Sequence, residues 1–193
     1  MDTLAQITDA IMADPANQAF TARGDRPLFS ISPDAELLLI SQAPSRLAQS
    51  SMTFWNDPSG DRLRTWLGVS RETFYNSGKL AVLPLDFYFP GKGKSGDLPP
   101  RKGFAEKWHA PLLALMPKVR LSLLIGAYAQ NYYLGARRQR TLTETVRHYQ
   151  DYLPQYFPLV HPSPLNYRWM RTNPWFESDV VPALQTQVAA ILD

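Results

Sequence analysis

The sequence predicts a three-layer α/β domain, with helices on both faces of a central, mainly parallel four-stranded sheet. Three observations carry that expectation. Four short apolar runs, at residues 36–41, 80–85, 120–127 and 157–160, have the length and the bounding turn residues of strands buried on both faces. Segments with apolar residues at helical spacing alternate with them, the pattern of βα units. Polar loops rich in proline follow the first and fourth runs directly, and open parallel sheets bind ligands at the carboxyl ends of their strands.

The elements follow in order. Residues 2–12 form a short amphipathic helix through Leu4, Ile7, Ala10 and Ile11. The first strand ends in the polar loop Gln42-Ala43-Pro44-Ser45. The stretch Thr53-Phe54-Trp55-Asn56-Asp57-Pro58-Ser59-Gly60 then leads into a helix with Leu63, Trp66 and Leu67 on one face, and its two aromatics beside a carboxylate suit a base-sized pocket. The second strand contains Pro84, which sits uncomfortably in a fully paired strand, and delivers Asp86. Lys92, Lys94, Arg101 and Lys102 gather in the glycine- and proline-rich loop 91–103, opposed only by Asp97. A helix over 106–116 uses Trp108, Leu112 and Leu115. The third strand reaches Gly126, where the helix 127–134 can approach closely, and Thr141 caps the next helix with Glu144 as its capping-box partner. The fourth strand delivers His161 into a turn stiffened by Pro162 and Pro164. Asn173-Pro174 opens the last helical segment, with Val181, Leu184, Val188 and Ile191 along a buried stripe.

With 193 residues, 45% of them hydrophobic, and no compositional break, the chain is expected to form a single domain over residues 1–193. The net charge of +3 and a pI near 9.2 permit a polyanionic partner without demanding one. Having no cysteine excludes disulfides, thiolate zinc sites and cysteine-held iron–sulfur clusters, so no cofactor and no metal is expected. No leader pattern and no apolar run near the ~20 residues of a membrane span is found, so a cytoplasmic, soluble monomer with no membrane partner is expected.

At the loops that converge on the carboxyl rim, the sequence resembles the uracil-DNA glycosylase superfamily, from about Leu37 to the C-terminus. His161-Pro162-Ser163-Pro164-Leu165 looks like the second catalytic motif of the classical uracil enzymes. Ser41-Gln42-Ala43-Pro44-Ser45 stands in the place of the first motif, Leu124-Ile125-Gly126-Ala127-Tyr128-Ala129 in that of the third strand, and Asn173-Pro174-Trp175-Phe176 in that of the tail. The resemblance implies the uracil-DNA glycosylase-like fold and a DNA partner, duplex or single-stranded. A modified base would be flipped out and its glycosidic bond hydrolysed. It implies that His161 hydrogen-bonds the departing base, Leu165 wedges into the vacated stack and Phe54 stacks on the extruded ring. Gln42 and Ala43 would line the base pocket. Ser45, Ser59 and Ser163, together with the basic loop, would hold phosphates.

Two departures qualify the expectation. Most branches place Asp, Asn or Glu where this chain has Gln42-Ala43, and neither an amide nor a methyl is a general base. Asp57 lies in a stretch similar to the one in which the thermophile type-B branch carries its water-activating aspartate, so Asp57 is assigned that role. That branch binds an iron–sulfur cluster, which a chain without cysteine cannot hold in that way. Asp86 stands where the superfamily commonly reads uracil with an asparagine, and an ionised carboxylate accepts only, so uracil need not be the substrate. Two alternatives stay open from the sequence: a catalytically silent binder of nucleic acid or damaged bases on the same fold, and a hydrolase of free nucleosides. Structural roles are open too, with Asp57 as a helix cap, Asp86 as a partner for a lysine or arginine and Leu165 as core.

Overall fold

The structure, a computed structural model, describes residues 3–94 and 96–192. Its central sheet is built from β1 (Leu37–Ile40), β2 (Leu80–Val82), β5 (Leu121–Ile125) and β6 (Tyr156–Leu159), all parallel, in the order β2-β1-β5-β6. A small antiparallel ladder, β3 (Lys92–Gly93) with β4 (Gly96–Asp97), stands apart from it. The helices are α1 (Leu4–Ala13), α2 (Gln18–Thr21), α3 (Arg46–Ser51), α4 (Pro58–Leu67), α5 (Arg71–Asn76), α6 (Phe104–Leu113), α7 (Ala127–Leu134), α8 (Leu142–Arg147), α9 (Tyr167–Thr172) and α10 (Val181–Leu192). None is long and apolar enough to cross a membrane.

Side chains alternate across a strand, so one run of leucines serves two cores. Leu37 and Leu39 of β1 point to a face covered by Leu63, Trp66 and Leu67 of α4 and by Leu184, Val188 and Ile191 of α10. Leu38 and Ile40 point to the other face, covered by Ile7 and Ile11 of α1 and by Trp108 and Leu112 of α6. Both faces of the sheet are therefore buried, which is why its strands read as unbroken apolar runs and not as alternating ones. The expected three-layer architecture is the one observed.

The prolines fall where the ladder tolerates them. Pro158 lies in β6, an edge strand, opposite Leu124. Beyond β2 the backbone keeps bonding to the chain that leaves β1: Leu83 N donates to Leu39 O at 2.9 Å, Leu85 N to Ser41 O at 2.8 Å and Asp86 N to Gln42 O at 3.1 Å. Pro84 lacks only an N–H that this alternating pattern does not use. The far edge of β2 is closed by Ser30, whose N–H and C=O exchange bonds with Val82. Several caps follow the sequence signals. Thr141 and Glu144 form a reciprocal capping box on α8, and α7 begins at Ala127 after Gly126, whose φ of 86° only glycine adopts readily. The last helical segment differs from expectation in having a wider turn, Phe176–Val180, ahead of α10.

Candidate active site

The chain leaving β1 and the chain leaving β6 meet at the carboxyl rim around a cavity of about 300 Å³. His161 enters it two residues after β6. Its Nδ1 accepts the Ser163 N–H at 3.1 Å, and Asn166 Nδ2 donates to its carbonyl at 2.8 Å. A neutral imidazole that accepts at Nδ1 carries its proton on Nε2, so the local turn sets the tautomer and leaves Nε2 as a donor. Burial pushes the imidazole below its ordinary pKa of 6.5, against the opposite pull of the Asp57 and Asp97 carboxylates. The ring therefore stays neutral at pH 7.

Asp57 lies on the same cavity and is the N-cap of α4. Its Oδ1 accepts the Gly60 N–H at 2.9 Å and its Oδ2 accepts the Ser45 hydroxyl at 3.2 Å. Each carboxylate oxygen has a second lone pair, so capping and proton acceptance are compatible. Ser45 also caps α3 by accepting from Ala48 N at 3.2 Å. Its hydroxyl thus serves a helix and a carboxylate.

The aromatic wall is Phe54 and Trp55. Trp55 has φ 55°, a left-handed conformation that a bulky residue adopts only when its surroundings impose it. Arg64 Nη1 donates to its carbonyl at 3.1 Å and Tyr75 Oη to the carbonyl of Phe54 at 2.8 Å, so the backbone of both residues is held from below. Trp55 packs on His161 with ring centroids 5.5 Å apart. The sequence assigns both aromatics to a base-sized pocket but a stacking role to Phe54 alone, and the left-handed turn is what lets the two adjacent rings face one space.

Gln42, Ala43, Ser59, Ser163 and Leu165 also line the cavity. Gln42 Nε2 is tied to Leu98 O at 2.6 Å, and the Ser163 hydroxyl caps the turn beneath Leu165 by accepting its N–H at 3.2 Å. Leu165 is 84% exposed, the most exposed of the large apolar side chains among the described residues, which excludes a core role. Lys92 and Asp97, paired across the β3–β4 ladder, line it as well. Asp97 was legible only as the lone acid of a basic loop.

Asp86 and Arg101 require correction. Asp86 is fully buried and absent from the cavity wall. It takes Arg101 Nε at 2.7 Å and Nη2 at 2.8 Å, plus the N–H groups of Arg101 and Tyr88, each at 3.1 Å. Arg101 gives its Nη1 to Ala16 O and Asn17 Oδ1. The pair clamps the loop after β2 onto the N-terminal segment, and neither residue lines the cavity. Lys94 and Lys102 are exposed and do not reach the cavity.

A histidine donor, a carboxylate and an aromatic wall surround a cavity at the carboxyl rim of a parallel sheet, the place where open α/β proteins take their ligands. The model of the uracil DNA glycosylase superfamily matches residues 29–185, and the chain belongs to that superfamily. Among solved structures it is similar to the solution NMR structure of a candidate uracil DNA glycosylase from Methanosarcina acetivorans. The identity is 15% and the TM-score 0.49, with 84% of this chain and 98% of that one covered.

Proposed function

We propose that this protein is a monofunctional DNA glycosylase of base excision repair. It would draw a deaminated or otherwise modified base out of DNA into the cavity and hydrolyse its N-glycosidic bond. The observation that carries the reading is that the Nε2–H of His161 and the carboxylate of Asp57 share one cavity whose wall is Phe54 and Trp55. The bond between the base nitrogen and C1′ breaks with its electron pair going to the base. Negative charge grows on the base, where His161 donates a hydrogen bond, and positive charge grows on the sugar near Asp57. Water adds to C1′, Asp57 takes its proton, and that proton ends on the departed base, leaving free base and an abasic site. Phe54 stacks on the ring, worth roughly 1–3 kcal/mol. Leu165 fills the vacated stack, while Ser59, Ser163, Lys94 and Lys102 hold the phosphates.

A second reading, binding of a damaged base without hydrolysis, is favoured by one observation: Asp57 already accepts two hydrogen bonds. One assay separates the two. Duplex and single-stranded oligonucleotides carrying uracil, hypoxanthine, xanthine or 5-hydroxymethyluracil are incubated without metal and cleaved with alkali at abasic sites. At least one lesion is expected to give product, and His161→Ala or Asp57→Asn to slow it by about a hundredfold or more. Asn keeps a cap acceptor but not a base. Binding that weakens with salt while no lesion gives product would assign the second reading.

A further inference from the structure

The loss of Asp86 from the pocket leaves the edge of the base without the reader expected there. Gln42 of the first motif has its amide nitrogen committed to Leu98 O at 2.6 Å. That bond holds the β3–β4 ladder to the loop after β1, and Leu98 N closes the ladder's far end on Gly91 O at 2.9 Å. The ladder therefore presents a fixed pair to the cavity: Lys92 and Asp97, directly opposite in register, with Nζ 2.7 Å from Oδ1. An ammonium beside a carboxylate offers one donor and one acceptor side by side, the pattern that a single asparagine amide offers.

We propose that Lys92 and Asp97 together read the edge of the flipped base. Nζ donates to a carbonyl oxygen and the carboxylate accepts the adjacent ring N–H. The edge selected is the lactam, O=C–N–H, which deamination creates from the amidine of cytosine or adenine. Asp97 alone would repel that carbonyl, and Lys92 removes the repulsion. A neutral pair also leaves no net negative field against a base departing as an anion. The inference deepens the glycosylase reading and rests on it for the presence of a base in the cavity.

Two measurements are made on the full chain: single-turnover excision from lesion-bearing DNA, and binding of free uracil and hypoxanthine followed by NMR titration, with cytosine and adenine as comparators. Asp97→Ala is expected to weaken binding and slow excision of the lactam bases by about tenfold or more, the worth of a hydrogen bond to a charged group. Lys92→Met acts in the same direction. The double variant Lys92→Met/Asp97→Asn is expected to recover most of both, because one amide replaces the donor and the acceptor, and to keep the preference for lactams over cytosine and adenine, which a merely structural ion pair does not set. If the wild type excises a lesion and Asp97→Ala excises it equally fast, the edge-reading role is overturned and the glycosylase reading stands. The same holds if the double variant fails to recover, or if cytosine and adenine bind as tightly as the lactams. If no lesion is excised but free lactam bases bind through Asp97, hydrolysis falls and edge reading stands. If there is neither excision nor binding, both fall.

Discussion

Asp57 and Asp86 are both aspartates that follow the first two strands, and the groups around them give them different uses. Asp86 meets a guanidinium and two N–H groups with no exposure to solvent, so every lone pair that could read a ligand is occupied. Removing one partner of such a buried pair costs about 3–5 kcal/mol, which places Asp86 among the groups that hold the fold. Asp57 meets one N–H and one hydroxyl and keeps a face toward the cavity. The sequence cannot separate the two cases, because Arg101 comes to Asp86 through packing fifteen residues away in the chain. His161 was legible because its partners are local: the Ser163 N–H two residues on fixes the tautomer, and Asn166 five residues on holds its carbonyl. His109, expected to be structural, is buried between Tyr133 Oη at 2.6 Å and Pro84 O at 3.0 Å, and Pro84 lines the cavity. Its Nε2 donates to the carbonyl, Nδ1 accepts from the tyrosine, and burial pushes its pKa down to about 4. The unfolded chain binds a proton near pH 6.5 and the folded chain does not until about pH 4, so stability falls as pH drops through that window. The loss is roughly 3 kcal/mol by pH 4 from this group alone. Urea unfolding of wild type and His109→Gln at pH 7 and pH 4.5 checks it. The variant is expected to be less stable at pH 7 yet to lose less on acidification, and equal losses in both would remove His109 as the cause.

At the scale of elements, the loop between α3 and α4 decides whether the aromatic wall exists. Gly60 sits in the first turn of α4, and a Cβ there would lie 1.7 Å from the carbonyl oxygen of Trp55. The helix start and the left-handed turn can therefore touch only through glycine. Helix propensity favours Ala over Gly by about 1 kcal/mol, so propensity and packing predict opposite signs. Gly60→Ala is expected to destabilise by about 3 kcal/mol, the upper range of overpacking, and to weaken free-base binding by displacing Phe54 and Trp55. Thermal unfolding and an NMR titration with free base test both parts; a stabilised variant would mean that the loop yields easily. The main strands and most of the longer helices were legible because their signals are local: apolar runs, helical spacing and caps such as Thr141 with Glu144. The β3–β4 ladder was not, because its two-residue strands carry no apolar pattern and are placed by Gln42 and Leu98 across fifty-six positions. The short helices α3, α5 and α9 were missed for a related reason, since six residues show less than two turns of periodicity.

At the scale of the molecule, the parallel sheet sends the loops that line the cavity to one rim, so the cavity and the surface proposed to meet DNA coincide. The net charge of +3 is modest, and Arg101 is internally neutralised, which leaves Lys94 and Lys102 as exposed cations of the basic loop. Electrostatics of that size supports association but does not extract a base from a stacked duplex. Extraction needs something to occupy the gap, and Leu165 is the side chain at the cavity with the exposure to do it. A leucine 84% exposed on a turn held by Ser163 contributes little to the core, so Leu165→Ala is expected to change folding stability by no more than about 0.5 kcal/mol. Its cost should appear in DNA, where the unstacked step of a duplex loses its plug, at a few kcal/mol per step. In a single strand there is no opposing stack to close over the gap, so the same substitution removes much less. Excision from duplex is therefore expected to fall about tenfold or more relative to excision from the same lesion in a single strand. Single-turnover rates on the two substrates, with wild type and Leu165→Ala side by side, give that ratio directly. Equal losses on both substrates would move Leu165 from the duplex to the base pocket, and no loss on either would leave its exposure without a function.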